Sequence, residues 1–318
     1  MRVMRSTAIM VVALLAAMAA AQTSGQAPAQ STAPPAQSGA PNQTPNSAQA
    51  PPAGGRHRVL QARSQEELKA YQDAFAKTNP AQLEAAANDF AAKYPTSELR
   101  ASLYMRAMNL YAQSNNTDKV IDTGRQAIVA DSMNPVPLVQ VASALAESTR
   151  DTDLDREQRL AEAAKDAHAA IDNLDTGLLV PANADPARVE GAKHSILTMA
   201  YDTLGMVDMN KNDYAAAEQN LQKAIDQSKG NPEAVLYLRL SVAQDKLKQY
   251  PQALDSANKA VQYSKDGTAA QNLAKQQQAR LQKLISAQAP AGSAAPPSPA
   301  PSAQPSQLPA PTSPSAPH

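Results

Sequence analysis

Between Leu60 and Ile285, apolar and alanine positions return every three or four residues, and no stretch alternates with period two for long enough to make a strand. That pattern predicts helices throughout, and hence an all-α fold. The pattern also repeats as a block. Tyr201, Leu204, Gly205, Tyr214, Ala217, Leu221 and Ala224 are followed 36 residues later by Tyr237, Leu240, Ser241, Tyr250, Ala253, Ala257 and Ala260. Large and small residues thus occupy fixed slots. A small residue lets two helices approach closely while a large one fills the groove beside it. Self-similarity at such a period marks a solenoid, in which each unit buries its apolar face against its neighbours.

These slots resemble those of the tetratricopeptide repeat (TPR) family, whose helix-turn-helix unit runs to about 34 residues. Three further units fit the same frame. Tyr104, Ala107, Met108, Tyr111, Val120, Gly124 and Ala127 fill it in one; Leu138, Val141, Ala142 and Leu145, then Ala163, Ala167 and Ala170, fill it in the next, with extra residues between its helices. The first and loosest unit carries Phe75, Leu83, Ala86 and Phe90, and its end, Tyr94-Pro95-Thr96-Ser97, is similar to inter-repeat turns of periplasmic TPR-like assembly lipoproteins. The resemblance implies a TPR-like α-solenoid over residues 59–286, with units near 65–98, 99–136, 137–174, 194–233 and 234–266. A capping helix follows over 267–286, with Leu273, Leu281, Leu284 and Ile285 on its inner side. The chain departs from the family pattern in three respects. It has no tryptophan for the first large slot, the proline that usually ends the second helix is displaced to Pro135 and Pro232, and a long connection, Asp175 to Lys193, precedes the fourth unit.

In TPR proteins the first helix of each unit supplies the concave, partner-binding face. Carried over by slot, the resemblance assigns that face to Ser102, Met105, Asn109 and Ala112, to Met199, Asp202, Met206 and Met209, and to Val235, Leu238, Val242 and Asp245. Of the six methionines beyond residue 21, four are among these. A flexible, polarizable Met suits apolar partners of imperfect shape, so the expectation is a Met-lined groove for an extended or helical segment of another protein. Ser241, Met108 and Gly205 stand where chaperone-binding relatives carry a lysine that clamps a C-terminal carboxylate, which disfavours chaperone-tail binding.

The two ends are different material. Met1 to Ala21 carries Arg2 and Arg5, then an apolar run from Ala8 to Ala21 with small residues Ala19 and Ala21 placed for cleavage before Gln22, and reads as a signal peptide over 1–21. An apolar helix of that length reaches only about 21 Å, against a hydrocarbon core of roughly 30 Å, so no stable membrane insertion is expected after cleavage. Residues 22–58 form an Ala/Pro/Gln linker and 287–318 a Pro-rich tail, neither with enough apolar side chain to offset the entropy of ordering it. Both are expected to be disordered tethers, and the chain to be exported to the periplasm or beyond the cell.

Charge and composition narrow the chemistry. The formal net charge is zero, from 29 basic and 29 acidic residues, and nearly all of it lies between Arg56 and Lys283. No broad electrostatic footprint points to nucleic acid. The absence of cysteine excludes thiol catalysis, disulfides and Cys-ligated metals. The four histidines, His57, His168, His194 and His318, have no metal-ligand spacing, and no phosphate-binding or nucleophile-elbow glycine motif occurs. One constellation remains. Asp151, Asp153 and Asp155, with Glu162 at the twelfth position from Asp151, have the spacing of calcium ligands in an EF-hand loop, but Arg156 stands where that loop needs glycine. Capping of a helix near Arg156 by Asp153 or Asp155 is the simpler expectation. The sequence thus leads to a non-enzymatic, exported TPR scaffold without cofactor, binding a protein or peptide. The alternatives are an envelope assembly factor acting with outer-membrane or peptidoglycan machinery, and a calcium-binding module built on the 151–162 loop.

Overall fold

A computed structural model describes residues 60–181 and 184–288. The signal peptide expected at 1–21, the linker at 22–58 and the tail beyond residue 288 lie outside the described residues. Within them the chain forms twelve helices and no strand: α1 (Gln65–Phe75), α2 (Pro80–Lys93), α3 (Leu99–Gln113), α4 (Thr117–Ala130), α5 (Pro135–Ser148), α6 (Arg156–Asp172), α7 (Leu174–Gly177), α8 (Pro186–Asn210), α9 (Tyr214–Gln227), α10 (Ala234–Lys246), α11 (Tyr250–Tyr263) and α12 (Ala269–Gln288).

Short sequence signals set the boundaries. Asn79-Pro80, Asn134-Pro135 and Asp185-Pro186 open α2, α5 and α8. In each, the Asn or Asp side chain accepts a hydrogen bond from a first-turn N–H, of Gln82, Val136 or Ala187, and the proline takes a position that needs no donor. The turns from α3 to α4, α8 to α9 and α10 to α11 are copies of one another. Asn115, Asn212 and Lys248 take positive φ of 56°, 62° and 63°. The next residue's N–H then reaches back five positions, from Asn116 to Tyr111, Asp213 to Asp208 and Gln249 to Gln244, satisfying carbonyls at the helix end.

Helices pack as α1/α2, α3/α4, α5/α6, α8/α9 and α10/α11, and the second helix of each pair packs on the first helix that follows, the last on α12. First helices also meet one another, α1 with α3, α5 with α8, α8 with α10 and α10 with α12. This is an all-α stack of helix-turn-helix pairs closed by a terminal helix, the fold class that the periodicity predicts. Alanines at the repeat slots are fully buried, among them Ala127, Ala170, Ala224 and Ala260. One slot pair shows how packing density is kept. A Cβ on Gly205 would lie 2.7 Å from Cγ of Leu221, whereas in the second pair the large residue, Met108, is on the first helix and the glycine, Gly124, on the second. In the fifth pair the same slots hold Ser241 and Ala257, and the Ser241 hydroxyl donates to the Ala253 carbonyl at 2.7 Å. Large and small residues exchange sides while the gap stays filled.

Two expectations are corrected. Asp175–Lys193 is not one long loop, because Asp185 caps a helix that starts at Pro186 and runs 25 residues, about 37 Å. Leu273 does not face the stack: it is 37% exposed, whereas Leu281 is fully buried against Ala253 and Ala257.

Candidate interaction surface

The first helices carry the positions that the resemblance gives to a partner, and packing has claimed much of that face. Met206 of α8 is buried in a core shared with α3 to α6, and Leu238 of α10 is buried against Ala260 and Ala274. Neither is available to a partner. Met105, Met199 and Met209 are half-buried and pack against core clusters on one side. Met is a good gap-filler where helices of unequal length meet, and the slot assignment cannot distinguish that use from a binding one. Asn109 stays half-buried on α3, with Ser102 about two turns before it and Ser143 in the comparable place on α5.

Ion pairs add to the apolar contacts between the first helices. Arg239 of α10, with its side chain 14% exposed, pairs with Asp202 of α8 and lies 3.6 Å from Glu147 of α5. Asp202 Oδ1 is buried and takes no hydrogen bond among the described residues, so the guanidinium beside it supplies much of its compensation. Burial, with the Asp202 carboxylate adding to it, pushes the Glu233 carboxyl up. Asp245, also buried, pairs with Arg280 of α12 and accepts a hydrogen bond from Gln277 at 3.3 Å. Asp202 and Asp245 are therefore a seam between helices. Their partners lie about 35 residues away in the chain, on other helices, and no short-range spacing announces them.

The turns α3–α4 and α5–α6 border a hollow of about 840 Å³, lined by polar side chains including Asn115, Asn116, Arg150, Thr152 and Asp153, with Leu154 beside them fully exposed. The calcium candidates are here, and the structure disperses them. Glu162 is held by Arg125 through two contacts of 2.7 Å. Asp153 accepts from the Arg150 N–H at 2.8 Å, Asp151 lies 3.4 Å from Arg156, and Asp155 lies 4.0 Å from Arg159. Among the described residues no group of three acidic or histidine side chains converges as a metal site. The calcium expectation is corrected on that geometry. The capping expectation holds in position, since α6 starts at Arg156 with Asp155 at its N-cap, but the Asp155 side chain makes no capping hydrogen bond there and Asp153 closes the preceding turn. His168 is exposed, and His194 Nδ1 lies 2.9 Å from Oε1 of Gln227. Two other groups are perturbed. Burial, helped by the nearby Glu162 carboxylate, pushes Asp166 up to about 6. Burial and the Glu84 carboxylate, whose Oε2 accepts the Tyr111 hydroxyl at 2.6 Å, push Tyr111 up to about 12.

No helix among the described residues is long and apolar enough to cross a membrane. No protein-family model and no curated protein matches the chain. Solved structures do align with it. "Crystal structure of MamA protein" matches at 16% identity and a TM-score of 0.42, over 63% of this chain and 93% of that one. The structure from "Functional Characterization of Pseudomonas Aeruginosa pilF" matches at 13% identity and 0.44, over 71% and 95%. PilW, described as a widely conserved type IV pilus biogenesis factor, matches at 15% identity and 0.34, over 66% and 98%. At such identities and scores these likenesses assign neither family nor function.

Proposed function

We infer that the protein is a non-enzymatic, exported scaffold that binds protein or peptide partners, in a bacterial periplasm or outside the cell. The observation that carries this reading is the set of adjoining first helices, α5, α8, α10 and α12, stitched together by Arg239 and Asp245. Such a seam sets the spacing between surface residues that belong to different pairs, which is what recognition of an extended partner over several repeats requires. Export rests on the apolar run of residues 8–21 and its alanine-rich end. Capture from an envelope extract tests the scaffold reading. The wild-type chain without residues 1–21 enriches a protein that the double variant Asn109→Arg, Ser143→Arg, placed on α3 and α5, fails to enrich at equal helicity. Identical capture by both chains would remove this face from consideration, and capture by neither would remove the scaffold reading.

A further inference from the structure

Two features single out the junction of the third and fourth pairs. Every residue from Asn134 to Ala142 is buried, although a first helix in an open stack has one face in solvent. And α8 starts early. Its slot aromatic, Tyr201, is the sixteenth residue of the helix, whereas Tyr104 is the sixth of α3 and Tyr237 the fourth of α10. About ten extra residues make α8 project by about 15 Å, leaving a cleft between its first turns and the start of α5.

The chain fills that cleft itself. Leu174, Leu178 and Val180, at 7%, 5% and 8% exposure, join Val136, Val139 and Ile196 in one buried apolar cluster, with Met199 packed against it. Met199 holds a repeat slot that the resemblance gives to a partner, and Val136 and Val139 stand on α5 at the offsets from Leu138 that Ser102 and Met105 have from Tyr104. Leu178 has extended backbone, and it and Val180 are buried while Leu179 between them is only partly so. The hold is one of side chains. No backbone hydrogen bond joins Leu178, Leu179 or Val180 to the other described residues, Gly177 abuts the Met133 carbonyl, and the exposed Asp175 is tied to Lys193 at 2.7 Å. A segment fixed by three apolar side chains and one surface ion pair opens at a lower free energy than the helices around it.

We propose that Leu174–Pro181 is a built-in ligand, which occupies a docking cleft between α5 and α8 and is displaced by a partner segment of the same chemistry. The part to be matched is the non-helical, uncharged end, Leu178–Pro181, with buried aliphatic side chains at alternate positions followed by proline. The proposal takes its purpose from the scaffold reading, but its test needs no partner.

A labelled synthetic peptide of residues 173–185 is titrated into the wild-type chain and into the double variant Leu178→Asp, Val180→Asp. The variant binds the peptide. The wild type, whose own segment competes at an effective concentration on the order of millimolar, binds it at least about 100-fold more weakly. Absence of binding to a variant of unchanged helicity overturns the proposal. If the variant loses its fold, thiol labelling decides, since the chain has no cysteine of its own and Val139 and Val180 lie in one buried cluster. A thiol in Val180→Cys that reacts at least about 100-fold faster than one in Val139→Cys supports a displaceable segment, and equal rates show ordinary core. Failure of envelope capture alongside successful peptide binding would sink the scaffold reading and leave the cleft standing.

Discussion

Lys248 and Asp166 are the residues whose chemistry sits least easily in the fold. Lys248 has the left-handed backbone that Asn115 and Asn212 take in the matching turns, where a side chain without Asn's local hydrogen bonding costs about 1 kcal/mol. Lys248→Gly is expected to stabilise the domain by about 0.5–1 kcal/mol, read as a shift in urea midpoint, since the turn keeps its hydrogen bonds. A lower midpoint would mean that the lysine side chain makes a contact worth more than the strain. Asp166 is a matter of proton linkage. In the folded chain it holds its proton up to about pH 6, whereas an unfolded Asp releases it near pH 4, so the native state binds more protons between these values. Stability therefore falls as pH rises from about 4 to about 6 and stays reduced above that. Asp166→Asn is expected to raise Tm at pH 7.5 and to leave it unchanged at pH 4; an equal gain at both would point to packing instead of charge. Neither residue was legible from the sequence alone, because a helical pattern specifies which face is buried and says nothing of the charges that meet there.

Among the elements, the helix pair is where sequence and structure agree best. The slots occupied by Gly205, Leu221, Met108 and Gly124 were readable because close helix contact imposes a fixed spacing. Reading the two glycines as one exchanged pair required the packing itself. Gly205→Ala is expected to destabilise the domain by about 1–3 kcal/mol, since the added Cβ meets Leu221 Cγ at 2.7 Å, in a core with no slack. A change below about 0.5 kcal/mol would show that α8 and α9 can separate freely. The long connection was misread for an identifiable reason. Repeat logic treats residues between frames as loop, yet Asp185-Pro186 is a helix start and Leu174, Leu178 and Val180 are apolar enough to be core. Two residues of the partner face were misread because slots carry position but not burial. Met206 and Leu238 lie where the resemblance places them and are covered by neighbouring helices.

For the whole molecule, neutrality averages two kinds of sequence, ends whose charges are few and a stack in which acidic and basic residues nearly balance. Inside the stack those charges join helices: Arg239 with Asp202 and Glu147, Arg280 with Asp245, Arg125 with Glu162. Pairs of this kind are modest as net stabilisers but costly to break singly, by about 3–5 kcal/mol when buried, so they set which helices neighbour each other. That arrangement is the basis for reading the stack as a surface for another protein. The most direct measurement is calorimetric titration of the captured partner into the wild-type chain and into Asn109→Arg, Ser143→Arg. The scaffold account predicts saturable binding that weakens by at least about 100-fold in the variant while Tm stays within about 2 °C. Undiminished affinity in a variant of unchanged Tm would contradict it.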